Sequence, residues 1–269
     1  MRTIKASIAI VAIFGLIWAI ASLPAISVPA ERHWTYQNLT GPTHWSELDP
    51  SFATCTSGQA QSPIDLTAAN SVELVNPEFH YEPVPLNLLN NGHTVQIPYA
   101  PGSYVTIDNK QYNLLQFHFH SPSEHAVEGK SQSAELHLVH QSEAGELAVV
   151  AVLLKSRDRS GKPSAGYQKL SQALPTQAGD KTRTEETINA QTLLPPTTTT
   201  YRYSGSLTTP PCTESVTWLV MTEPVELSAT QIAQYEQILN HNNRPLQPLN
   251  RRSVQMDLSF YQQLPSTTT

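Results

Sequence analysis

The chain of 269 residues sets 16 Lys and Arg against 22 Asp and Glu, a formal charge of −6. Only 14% of its residues are charged, about half the usual share. It carries no Lys/Arg-rich tract, so the electrostatic footprint of a nucleic-acid binder is missing. A chain of this length, 39% hydrophobic, is too apolar for a disordered polymer and can bury a full core.

In chain order, the N-terminus comes first. Arg2 and Lys5 precede an uncharged stretch, Ala6–Ala30, with a dense apolar block at Ile8–Ala21. That pattern is expected of a secretory signal cut after Ala30, with an uncleaved membrane anchor as the alternative. Either reading exports residues 31–269, to a periplasm or outside the cell, and touches a membrane only through this segment. Cys55 and Cys212 suit export as a disulfide, although two buried thiols would give the same count.

Beyond Glu31, short runs of apolar alternation recur at Val95–Tyr99, Tyr104–Ile107, Leu115–Phe119, Glu135–His140, Leu147–Leu154 and Val216–Thr222. Asn91-Gly92, Pro101-Gly102 and Asp108-Asn109 punctuate them as turns, so the pattern predicts many strands joined by hairpins and loops. Helical periodicity occurs at Ala165–Leu174 and at Ala229–Leu239. The second follows Ser228, with Gln231 three residues on as a capping box. Thr197–Thr200, after Pro195-Pro196, reads as a loop. The pattern as a whole predicts one β-rich domain with a few short helices.

Three of the ten histidines have an informative spacing. Residues two apart on a strand share a face, so Gln116, His118 and His120 stand together, opposite Phe117 and Phe119. On a second strand Glu135, His137 and Val139 share a face. If the two strands are neighbours, three imidazoles converge on one point. Zinc suits three neutral imidazoles best, and a fourth position left open is the catalytic pattern. His44, His80, His125, His140 and His241 lack such spacing and read as structural or surface residues.

These motifs bring the chain close to a known family. LLQFHFHSPSEH, AELHLVH and SGSLTTPPCTESVTW resemble segments of the alpha-class carbonic anhydrases. So do HWTY at 33–36, GPTHW at 41–45, GQAQSPID at 58–65, NNGH at 90–93 and NNRPLQPLNRR at 242–252. The likeness runs in order across about residues 33–255.

The resemblance implies a large, twisted, mostly antiparallel central sheet with peripheral short helices and zinc at the base of a cone-shaped cavity. The implied reaction is reversible hydration of carbon dioxide to bicarbonate and a proton, by zinc-bound hydroxide. His118, His120 and His137 match the zinc ligands, with Gln116 behind His118 and Glu135 behind His137. Thr208 matches the hydroxyl gatekeeper and Glu124 its carboxylate partner. Thr209 matches a neighbouring substrate position, and Val139, Val149, Leu207 and Trp218 the apolar wall for carbon dioxide. His93 matches the proton shuttle, and Tyr36 and Asn91 the residues that order its waters. Cys55–Cys212 matches the disulfide of exported members, which would tie the Thr208 loop to the N-terminal region. Thr35 departs from the glycine the family carries there.

Two other readings compete. A catalytically silent binding module would have lost metal histidines, and all three are present. A structural zinc site would close its fourth position with Cys or His, but His140 has the wrong strand parity and His125 matches a structural position.

Overall fold

The computed structural model describes residues 33–67, 69–157 and 164–257. The signal or anchor expected at 1–30 lies outside them. Among the described residues no helix is long and apolar enough to cross a membrane.

Among the described residues thirteen strands form one mixed sheet. Its path runs Ala69–Val72, Val254–Asp257, Thr200–Ser206, Glu214–Met221, Leu147–Arg157, Ala134–Gln141, Lys110–His120, Val95–Pro98, Val84–Asn90, Lys181–Ile188. Most pairs are antiparallel, with three parallel exceptions: Ala69–Val72 with Val254–Asp257, and Leu147–Arg157 with both Glu214–Met221 and Val225–Ser228. Each strand expected from alternation is present, some extended by a few residues. One expected loop is shorter than predicted: Thr200 already pairs with Met221 and opens a strand. At the turns, Gly92, Gly102, Asp108 and Asn109 all have positive φ, the conformation that Gly and Asn/Asp tolerate best.

Strand parity divides the interior. Phe117, Phe119, Leu136, Leu138, Val150 and Val152 point to one face and join the larger apolar core. The helices Ala165–Ala173 and Ala229–Leu239 cover that core with Tyr167, Leu170, Ile232 and Tyr235. The second helix starts as predicted: the Ser228 hydroxyl accepts from the Gln231 amide, and Gln231 accepts from the Ser228 amide. The alternate residues of the same strands face the other side, where Val149, Ala151, Leu153, Tyr203 and Trp218 form a second cluster.

Register then places the polar residues of that second face. His118 stands directly opposite His137. Two residues along, Val139, Val149, Trp218 and Tyr203 form a rung across four strands. Directly opposed residues lie within side-chain reach of one another, so a row of histidines adjoins a row of apolar side chains.

The Cys55–Cys212 disulfide closes a separation of 157 residues. The chain-entropy model gives at most about 5 kcal/mol for a loop of that size. Around it, Ser62 and Ser206 exchange amide-to-hydroxyl hydrogen bonds and Gln61 Nε2 donates to the Cys212 carbonyl. Gly205 allows this approach, since a Cβ there would lie 2.2 Å from Ser62 Oγ.

His140 sits on the apolar face, fully buried, with Nε2 2.8 Å from the Tyr81 hydroxyl. Burial pushes its pKa down to about 3. An unfolded histidine titrates near 6.5, so between these values the unfolded chain binds a proton that the native chain does not. Its stabilising share is therefore complete above about pH 6.5 and is lost as pH falls. From pH 7 to pH 5 the loss is about 2 kcal/mol. The double variant Tyr81→Phe/His140→Leu is expected to shrink the pH 7-to-5 drop in urea-unfolding free energy by that amount. An undiminished drop would contradict this.

Candidate metal centre

His118 and His120 end one strand, and His137 lies on its neighbour. One ring nitrogen from each falls within 4.8 Å of the others. The opposite ring nitrogens are all engaged. His118 Nδ1 donates to Gln116 Oε1 at 2.9 Å, His120 Nδ1 to the Asn242 carbonyl at 2.7 Å, and His137 Nε2 to Glu135 Oε1 at 2.9 Å. A carbonyl and a carboxylate cannot donate, so these partners fix each tautomer. The nitrogens left to converge are Nε2 of His118, Nε2 of His120 and Nδ1 of His137.

Glu135 is fully buried and accepts four hydrogen bonds. Oε1 takes His137 Nε2 and His125 Nδ1, while Oε2 takes the amides of Glu124 and His125. Burial alone would raise its carboxyl pKa; His125 and His137 outweigh that and hold it well below the usual range. His125 continues the chain, its Nε2 2.6 Å from the Tyr203 hydroxyl, which meets Ser62 Oγ at 2.8 Å. His125 is thus a structural member of the network.

Burial, reinforced by the neighbouring His120 and His137, pushes the pKa of His118 well down. Burial also lowers His120, against the opposing pull of Glu124. Neutral imidazole is the form that binds a metal. Two buried polar atoms without a hydrogen-bond partner, His120 Nε2 and Glu124 Oε2, face each other here at 3.5 Å. Glu124 Oε2 is also 3.9 Å from His137 Nδ1. Orphaned buried polar atoms are rare and costly, and this donor set fits a divalent cation.

The remaining predicted residues fall around this point. Val139, Val149, Leu207 and Trp218 belong to one apolar cluster, and the Trp218 ring is 5.0 Å from that of His137. Thr208 is buried and Thr209 half-buried. Their loop is pinned by Leu207 N to Thr213 O and Cys212 N to Thr209 O, both 2.9 Å. The implied hydrogen bond from Thr208 to Glu124 is not made: Glu124 Oε1 accepts instead from the Arg244 amide at 2.8 Å, and Oε2 turns to the histidines.

His93 stacks on Trp34, ring centroids 3.8 Å apart, beside a cavity of about 440 Å³ also lined by Tyr36, Asn90 and Asn242. Burial, with the nearby Glu124 charge, raises the Tyr36 phenol pKa well above its ordinary value. Asn91 Oδ1 accepts from the amides of His93 and Thr94 and so builds the turn that carries His93. Thr35, in place of the family's glycine, stitches the 35–40 turn: its hydroxyl donates to the Gln37 carbonyl and meets the Thr40 hydroxyl, both at 2.8 Å. Asn242 and Arg244 had no role assigned by sequence reasoning. Their only signal was membership of the NNRPLQPLNRR motif.

Residues 40–258 match the family model described as eukaryotic-type carbonic anhydrase. A carbonic anhydrase from a Nostoc species is 44% identical, covering 82% of this chain and 85% of that protein. One from Klebsiella pneumoniae is 41% identical, covering 82% and 90%. Among solved structures, the alpha-carbonic anhydrase of Thermovibrio ammonificans in complex with the inhibitor sulfanilamide is similar, with a TM-score of 0.80 at 40% identity. That match covers 84% of this chain and 99% of the other.

Removing an acceptor behind a ligand histidine typically costs 10- to 100-fold in metal affinity. Gln116→Ala is expected to weaken divalent-metal binding by about 10-fold or more while leaving the melting temperature of the metal-free protein within a few degrees. Competition against a chelator of known affinity measures this. An unchanged affinity would show that Gln116 does not orient His118.

Proposed function

The chain belongs to the eukaryotic-type, or alpha, carbonic anhydrase family, and on that premise we propose that it hydrates carbon dioxide with a zinc ion held by His118, His120 and His137. Convergence of three imidazoles, each presenting one free nitrogen, is the observation that carries this reading. Bound there, zinc would lower the pKa of water from 15.7 to about 7, the value established for carbonic anhydrase itself.

The chain's own residues do the rest. Gln116, Glu135 and the Asn242 carbonyl hold the three rings in the ligating tautomer. Thr208 accepts a hydrogen bond from the attacking oxygen and donates its own proton to Glu124, which leaves a lone pair aimed at the substrate. For this the Glu124 carboxylate turns about Oε1, already held by the Arg244 amide, and brings Oε2 to Thr208. Carbon dioxide is apolar, so the wall of Val139, Val149, Leu207 and Trp218 receives it without competing hydrogen bonds, with Thr209 at its edge. His93 takes the released proton outward through waters ordered by Tyr36 and Asn91, the imidazole serving as a relay.

Residues 31–269 are the catalytic domain in this reading, and 1–30 the segment that exports it. The Cys55–Cys212 disulfide supports an oxidising compartment such as a periplasm.

Stopped-flow carbon dioxide hydration on residues 31–269, zinc-loaded and zinc-free, tests the proposal. Turnover that disappears with zinc, returns on adding it back and is blocked by sulfanilamide is the expected result. A fully zinc-loaded protein without turnover would overturn it in favour of a silent binding module.

A further inference from the structure

The NNRPLQPLNRR motif enters the reaction as derived only through the backbone of Asn242 and Arg244, yet the side chain of its first residue touches both halves of the site. Asn242 is 2% exposed, and all of its side-chain polar atoms are engaged. Oδ1 accepts from the Ser121 amide at 2.8 Å. Nδ2 donates to the Phe119 carbonyl at 2.9 Å and to the His93 carbonyl at 3.0 Å. Its backbone carbonyl takes the His120 ring proton.

The sheet explains the need for such a residue. Val95–Pro98 pairs with the metal-bearing strand from Pro98↔Gln116 to Gln96↔His118. Beyond that register the neighbouring chain has turned away into the Asn90–Thr94 loop. The Phe119 carbonyl and the Ser121 amide, which flank His120 on one strand edge, therefore lack a backbone partner on that side. The Asn242 carboxamide, chemically a peptide group on a side chain, supplies the missing rung. Its second N–H then reaches the carbonyl of His93. An amide is the one side-chain group of this size with two N–H donors and an acceptor. Aspartate has no donor to give to two carbonyls, and an aliphatic residue takes this partner from the Ser121 amide and the His93 carbonyl and leaves the Phe119 carbonyl to the Thr94 hydroxyl alone.

We propose that the Asn242 side-chain amide is the positioning residue for His93, fastening the loop that carries it to the end of the metal-bearing strand. The inference rests on the relay role given to His93 above. His93 is held by the turn around Asn91 Oδ1 and by stacking on Trp34, and the next residue, Thr94, fastens the loop to the metal-bearing strand through its hydroxyl, which bonds both the amide and the carbonyl of Phe119. Asn242 adds the tie at the His93 carbonyl itself. Loss of the amide frees the loop and slows proton export, while the backbone acceptor for His120 remains.

The test compares zinc-loaded Asn242→Asp and Asn242→Ala with the unmodified protein and with His93→Ala. Two readouts are needed: hydration kinetics with and without added imidazole, and amide hydrogen exchange. For the Asn242 variants, exchange of the 90–94 amides is expected to rise at least about 10-fold while 135–141 stays protected, since local opening follows lost local contacts. In the same proteins kcat falls several-fold, imidazole restores it, and kcat/KM and zinc content hold within two-fold. Asn242→Ala guards against a fold-specific failure of the aspartate. Unchanged exchange in the loop, or kcat and kcat/KM falling together with zinc content, would overturn the proposal. If His93→Ala itself shows no imidazole-rescued defect, the relay reading fails, and the exchange data alone decide whether Asn242 holds the loop.

Discussion

Each of the three convergent histidines gives the proton of one ring nitrogen to an acceptor: Gln116 Oε1, the Asn242 carbonyl or Glu135 Oε1. That hydrogen bond determines which nitrogen faces the common point and in which direction the ring lies. Without it an imidazole would alternate between tautomers and rotamers, and three of them would present a metal with many arrangements. Two of these acceptors are themselves held, Asn242 through its side-chain amide and Glu135 through its two oxygens. Glu135 receives four hydrogen bonds, and the last of its partners, His125, connects through Tyr203 to Ser62 beside the disulfide. The order at the centre is therefore imposed from the core outward, with the ligating rings as its innermost layer.

The sheet converts this local order into a site. Period-two alternation puts phenylalanines and leucines against the helices and histidines on the opposite face. Register then sets the His118–His137 pair beside the Val139–Val149–Trp218 rung. A polar centre capable of holding a cation thus adjoins a wall suited to an apolar gas. A slip of one residue in any of these strands would exchange the two faces. Both requirements of the chemistry depend on the same backbone pairing.

Strand parity is a property of adjacent residues, so the shared faces of Gln116, His118 and His120 and of Glu135, His137 and Val139 are legible from spacing alone, whereas the roles of Gln116 and Glu135 behind the histidines are implied only by the family resemblance. Register was not, because it depends on pairing between segments far apart in sequence. For the same reason the third acceptor escaped notice: Asn242 lies 122 residues from His120, and a backbone carbonyl carries no residue-specific signal. Of the strands that alternation does not point to, two are hidden by their composition. Pro85 interrupts Val84–Asn90, and Lys181–Ile188 is a mostly exposed, charged edge of the sheet, as edge strands often are. The Thr208 loop reads as an ordinary turn, and only resemblance to the family singled it out. Resemblance also implied the Glu124 contact that the structure replaces with one to the Arg244 amide.

The central claim is that hydrogen bonding presets the three rings before any metal arrives. Nitrogen-15 NMR of the histidine side chains in metal-free protein at pH 7 tests it most directly. The account predicts neutral rings protonated at Nδ1 in His118 and His120 and at Nε2 in His137, each in a single tautomer. Rings that average between tautomers, and settle only when a metal is added, would contradict it.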